Sequence, residues 1–165
     1  DRDLLTWTQV TPPSGRIDVP ASTFDWCFWE RLIRERGVTI DRPRSTAHPR
    51  HPSIIYPIDY GFLPGTRGGD EDEVDVWSGS GEGGLVAIMM TIDHVKKDRE
   101  VDLLWNCTAR EIYLVNGFVN FDQALLEGRL MLRETMAARW RMDEASASGD
   151  RISSPGGPFR PPPAP

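Results

Sequence analysis

The 165-residue chain predicts an α+β domain, mainly β: a small barrel or curled sheet with a C-terminal helix packed against it. Three observations lead there. Short β-type runs bounded by Gly or Pro recur through the first two thirds of the chain. One long stretch, Phe121 to Met142, carries apolar residues at 121, 124, 125, 130, 132, 136, 137 and 140, close to helical spacing. The 39% hydrophobic and 27% charged composition is that of one ordinary globular domain, long enough to close a core without disulfides.

Residues 1–15 are polar and broken by Pro12, Pro13, Ser14 and Gly15, which marks an N-terminal arm ahead of a domain over 16–142. Arg16 to Pro20 alternates polar and apolar residues and predicts a short strand. Residues 26–42 fit two strands around a turn at Arg36-Gly37. They also fit a short helix at 26–35, because Trp29, Leu32 and Ile33 share a helical face. Residues 43–53 hold Pro43, Pro49 and Pro52 and predict no regular structure. Residues 54–66 are β-type but interrupted by proline and glycine.

Val74 to Trp77 reads as a strand, Ser78 to Gly84 as a flexible turn, and Leu85 to Ile92 as a buried strand. Val101 to Trp105 is another strand, and Glu111 to Val115 a further one. Asn120 or Asp122 can cap the predicted helix over 121–142. Residues 143–165 are rich in Ser, Gly and Pro and predict a disordered tail.

The net charge of −6 argues against a nucleic-acid coat, which needs a basic stripe. It leaves room for a phosphate-containing small substrate, because metal ions can supply the missing positive charge. No run approaches the apolar length of a membrane span, and no basic segment followed by an apolar run opens the chain. Cys27 and Cys107 form no CxxC pair and are expected as reduced, buried thiols in a cytoplasmic protein.

The acidity is concentrated: Asp70, Glu71, Asp72, Glu73 and Asp75 put five carboxylates into six residues. Converging carboxylates raise each other's pKa unless a cation lies between them, and oxygen-only ligation suits Mg²⁺, Ca²⁺ or Mn²⁺. The alternative is a solvated acidic loop. Tyr56-Pro57-Ile58-Asp59-Tyr60-Gly61 is either a rigid loop presenting phenol hydroxyls or aromatic core packing. Asp93-x₄-Asp98 follows the buried strand with Lys96, Lys97 and Arg99 beside it, as a rim site or a salt-bridged turn. His48, His51 and His94 lack zinc-site spacing and read as surface residues.

In this order and spacing the motifs resemble the soluble, Mg²⁺-dependent family I inorganic pyrophosphatases, from about Arg16 to about Met142. The family signature D-[SGDN]-D-[PE]-hydrophobic-D-hydrophobic reads Asp70-Glu71-Asp72-Glu73-Val74-Asp75-Val76, with Glu71 alone outside it. Tyr56-Pro57 with Tyr60-Gly61, Asp93-x₄-Asp98, and Asp41-Arg42 with Glu30 before it resemble further family elements. The resemblance implies a small closed OB-like barrel. It implies that Asp70, Asp75 and Asp98 hold one metal ion, and that Asp93, Asp98 and Asp18 hold another. Asp72 would take the proton from a water, Tyr60 would hydrogen-bond in the catalytic site, and Arg42 would bind phosphate. Glu30, Tyr56 and Arg141 would join the substrate site. The ion would be Mg²⁺, with Mn²⁺ as the substitute, and the partner pyrophosphate or another phosphoanhydride. A homo-oligomer, in bacterial members commonly a hexamer, is also implied, with no nucleic-acid or membrane partner.

The chain departs from the family pattern where Phe28 and Glu100 stand at lysine positions and where Trp140-Arg141 replaces a Tyr-Lys pair. About six extra residues between Arg42 and Tyr56 hold His48, Arg50 and His51. Three readings follow: a pyrophosphatase; a hydrolase of an organic phosphoanhydride or phosphate ester, with Phe28 and Trp29 as its apolar wall; and a non-catalytic binding protein on the same scaffold.

Overall fold

A computed structural model describes residues 24–68 and 72–149. The arm at 1–15, the strand expected at 16–20, and residues 150–165 of the tail lie outside the described residues.

Helix α1 (Trp26–Arg36) opens the described chain. Asp25 caps it by accepting from the Phe28 amide at 3.0 Å, and Gly37 ends it at φ 72°, where a residue with a Cβ would be strained. Between the two readings of this segment, the structure therefore has the helix. It is followed by β1 (Thr39–Arg42), β2 (Ala47–His48), β3 (His51–Ile55), β4 (Asp59–Leu63), β5 (Val74–Ser78), β6 (Leu85–Asp93) and β7 (Asp98–Trp105). Then come α2 (Ala109–Val119), β8 (Leu126–Leu132) and α3 (Met136–Gly149).

Six strands form one mixed sheet in the order β1-β4-β5-β7-β6-β8, with β5 and β7 parallel and the other neighbours antiparallel. It has two edges, β1 and β8, so the described residues form an open sheet and not the closed OB-like barrel expected. β2 and β3 make a separate hairpin.

Alternation along the strands gives the sheet two apolar faces. Val74, Val76, Ile88 and Leu103 point to the α1 side and pack with Ile33, Trp29 and Leu32. Trp77, Ala87, Met89 and Leu104 point to the α2 side and pack with Ile112, Val115 and Val119.

Three expectations are corrected. Glu111–Val115 is part of α2 rather than a strand. Thr108 accepts from the Glu111 amide at 3.2 Å while Glu111 accepts from the Thr108 amide at 2.8 Å, a reciprocal cap that starts a helix. Phe121–Met142 is not one helix: Asn120 caps the end of α2, residues 122–126 turn, and β8 follows. Tertiary pairing with β6 overrides helical spacing here. A Cβ on Gly128 would come within 2.4 Å of Val119 Cγ1 and 2.7 Å of Met89 Sδ, so the close approach of α2 to β8 requires glycine. Residues 43–53 do contain strands, because Pro49 occupies the hairpin turn and Pro52 an exposed strand.

Helix α3 runs to Gly149, past the boundary at 142. Cys107 is buried as expected, whereas Cys27 is exposed. No described helix is long and apolar enough to cross a membrane.

Candidate metal and phosphate site

Strand β7 carries Asp98, Glu100 and Asp102 at every second position, so all three leave the same, α2-side face of the sheet. The parallel register that sets Val76 beside Leu103 brings Asp75 of β5 to Asp102. Asp75, Glu100 and Asp102 each offer an oxygen, and these atoms lie within 4.8 Å of one another. At the other end of the row, Asp98 stands opposite Asp93 of β6.

Asp102 is 5% exposed and accepts from Trp77 Nε1 at 2.9 Å. Burial pushes its carboxyl up to about 8; the neighbouring Asp75 charge adds to this, the Trp77 bond opposes it, and Glu100 adds further. Tyr60, on β4, hydrogen-bonds Asp75. Its phenol is raised well above the ordinary range by burial, then by the charges of Asp102 and Asp75, so it stays protonated and donates.

Next along the face comes a ring stack. The Tyr60 and Trp77 centroids are 4.6 Å apart, and those of Tyr56 and Tyr60 are 5.4 Å apart. The β1–β4 register sets Arg42 beside Tyr60. Its guanidinium lies 5.5 Å from the Tyr56 ring centre and 5.6 Å from that of Tyr60, and it donates to Tyr56 Oη at 2.5 Å. Burial raises the Tyr56 phenol, the Arg42 bond opposes it, and the Asp41 and Asp75 charges add to it. The Tyr56 to Tyr60 segment is thus both core packing and a presenting surface: Tyr56 is 4% exposed yet its hydroxyl holds Arg42.

The donor set fits a hard divalent cation. It is all oxygen, it clusters on one face, and its span suits metal–oxygen distances of ~2.0–2.6 Å. Asp98 Oδ1 is buried without a hydrogen-bond partner among the described residues. Such an oxygen is unfavourable unless something positive supplies the missing contact.

The structure brings together Asp75, Tyr60, Tyr56 and Arg42 of the residues singled out from sequence. Asp72 is exposed in the loop before β5, where its carbonyl accepts from the Gly68 amide at 2.6 Å. Asp70 and Asp18 lie outside the described residues. Asp93 Oδ1 accepts from the Val95 and Lys96 amides, both at 2.8 Å, as the organiser of the β6–β7 turn. Glu30 belongs to the opposite face: it pairs with Arg133 at 3.0 Å and accepts from the Leu85 amide at 3.3 Å, tying α1 to the sheet. Phe28 and Trp29 are on α1 too; Phe28 is exposed, whereas Trp29 lines a cavity that Glu100 also borders. Arg141 is exposed on α3, which packs against α2.

Sequence reasoning missed Asp102, Trp77 and the liganding geometry of Glu100. The signal was the alternation Asp98, Glu100, Asp102, which begins three residues ahead of the strand expected at Val101–Trp105. What no local pattern shows is which neighbouring strand lies beside it.

No protein-family model and no curated protein matches the chain. Among solved structures it is similar to an inorganic phosphatase from Anaplasma phagocytophilum, at 14% identity and a TM-score of 0.42, covering 69% of this chain and 92% of that one. It is similar to an inorganic pyrophosphatase from Helicobacter pylori at 12% identity and 0.40, over 69% and 92% of the two chains. A third, an inorganic pyrophosphatase from Coxiella burnetii, shows 17% identity and 0.40 over 66% and 90%. At this level of similarity the chain's own residues, rather than those structures, decide what the site can do.

Proposed function

We propose that this protein hydrolyses inorganic pyrophosphate to two phosphates with a divalent cation, Mg²⁺ or in its place Mn²⁺. The observation that carries the proposal is the set of Asp75, Glu100 and Asp102 oxygens within 4.8 Å of one another, on the same face as Tyr60 and Arg42. Asp75, Glu100 and Asp102 would hold one cation, with Asp70 from outside the described residues as a further ligand; Asp98 and Asp93, at the other end of the row, would hold a second ion with Asp18, also outside the described residues. When bound, the cation supplies charge neutralisation of the phosphates and acidifies a water.

The chain does the rest. Tyr60 donates to Asp75 and so fixes which carboxylate oxygen faces the site. Arg42, held against two phenol rings and the Tyr56 hydroxyl, keeps its remaining N–H groups for phosphate oxygens. Asp72, exposed three residues before Asp75, is the base that takes the proton from the attacking water. Phosphoanhydride cleavage asks for positioning and charge stabilisation more than for covalent chemistry, which this constellation supplies.

The test is Mg²⁺-dependent phosphate release from pyrophosphate, with Asp75→Asn as the control and a nucleotide panel alongside. Release from pyrophosphate that Asp75→Asn abolishes supports the proposal. Turnover of nucleotides only, or no metal-dependent turnover, overturns it.

A further inference from the structure

The extra segment between Arg42 and Tyr56 has no role in the site described so far. Residues 42–58 hold Arg42, Arg44, His48, Arg50 and His51 and not one acid, in a chain whose net charge is −6. The segment folds into the β2–β3 hairpin, and its base is tied to a residue of the site. The Ser45 amide donates to the Tyr56 carbonyl at 2.9 Å, and the Tyr56 amide to the Thr46 carbonyl at 3.0 Å. The Arg44 amide donates to Asp59 Oδ1 at 2.7 Å, which fixes the approach to the hairpin.

The hairpin then returns over the ring stack. His48 lies parallel to Tyr56, with centroids 6.2 Å apart and planes 17° apart, and His51 is 5.1 Å from His48. His48, Tyr56 and Tyr60 thus form three successive stacked rings, the last hydrogen-bonded to the metal-ligating Asp75. The Arg50 amide donates to His48 Nδ1 at 3.1 Å. This leaves the proton of the neutral ring on Nε2, as a donor.

Resting on the proposed pyrophosphatase reading, we infer that this hairpin is a second anion-binding element, in which His48, His51 and Arg50 join Arg42 to hold the phosphoryl group lying farther from the carboxylates. Four lines agree. The stack links the two elements without a gap. The donors of the hairpin are N–H groups, suited to phosphate oxygens. Arg42, His51 and Arg50 all lie close enough to His48 to lower its pKa, after burial, so the basic groups share one field. An anion placed among them relieves that mutual repulsion, which gives the arrangement a reason to bind one.

The test uses the full chain with Mg²⁺ and pyrophosphate, comparing wild type with Arg50→Ala and His48→Ala/His51→Ala. Steady-state hydrolysis is read as a KM-against-kcat split. Calorimetry with methylenediphosphonate, which cannot be hydrolysed, gives binding directly. Each set of variants is expected to raise KM and weaken diphosphonate binding about tenfold, with kcat within about twofold. His48→Phe keeps the ring on Tyr56 but removes the donor, so it separates packing from binding: it is expected to weaken binding like the alanine variants. If wild type turns over pyrophosphate and the variants match it in KM and in diphosphonate affinity, the hairpin inference is overturned and the catalytic reading stands. A His48→Phe variant with wild-type affinity overturns the imidazole's part. A wild type that neither binds nor hydrolyses removes both.

Discussion

Asp102→Asn offers the sharpest test of the carboxylate cluster, because it bears on stability before any activity is measured. In the metal-free protein the Asp102 carboxyl is raised from its ordinary 3.8 to about 8 by burial, with Asp75 and Glu100 adding and Trp77 opposing. Between these values the folded state binds a proton that the unfolded chain has released. The associated stability is therefore fully present below pH 3.8 and is lost as pH rises through 8. At ~1.4 kcal/mol per pH unit, a span of about four units amounts to roughly 5 kcal/mol at most, comparable to the whole stability of many domains.

Asparagine keeps the oxygen that accepts from Trp77 Nε1 and removes the titration. Urea unfolding in a chelating buffer from pH 5 to pH 9, for wild type and Asp102→Asn, measures the effect. Wild type should lose several kcal/mol toward pH 8.5, while the variant should show a flatter curve and be the more stable of the two at pH 8.5. Millimolar Mg²⁺ should then raise the wild-type melting temperature at pH 8.5 and leave that of the variant nearly unmoved. Parallel pH curves for the two proteins, or a variant that is less stable at pH 8.5, would refute the burial and charge argument for this cluster.

Other perturbations reach different links in the chain. Tyr60→Phe removes the hydroxyl that donates to Asp75, and phosphate release from pyrophosphate should fall about tenfold with little change in Mg²⁺ response. Gly128→Ala forces Val119 and Met89 to move and should cost about 1–3 kcal/mol in urea unfolding, loosening β8 against α2. Glu30→Gln weakens the Arg133 pair between α1 and the sheet; a loss of about 1 kcal/mol of stability is expected, seen as a lower thermal midpoint.

Much of the scaffold was legible locally. The strands at 74–78 and 85–93 announced themselves as β-type runs, whereas the strand expected at 101–105 begins at Asp98 in the structure, and only that extension puts three acids on one face. One helix and one strand were harder. Glu111–Val115 is apolar enough for a strand, and only the reciprocal cap between Thr108 and Glu111 makes it α2. Residues 126–132 satisfy a helical period as well as a strand period, and the free edge of β6 decided between them.

The sequence alone determined a mainly β domain with an acidic run and a Tyr56/Tyr60 pair, because residue type and spacing set what each local segment can do; a phosphate role for Arg42 came only from the resemblance. Tertiary structure decided which acids meet. Asp75 reaches Asp102 only because β5 and β7 run parallel in register, and Glu30 is separated from them only because α1 covers the other face of the sheet. The physical reason is that a carboxylate cluster is a matter of distances of a few ångströms between strands far apart in the chain. Those distances follow from strand order and register, which no single segment encodes.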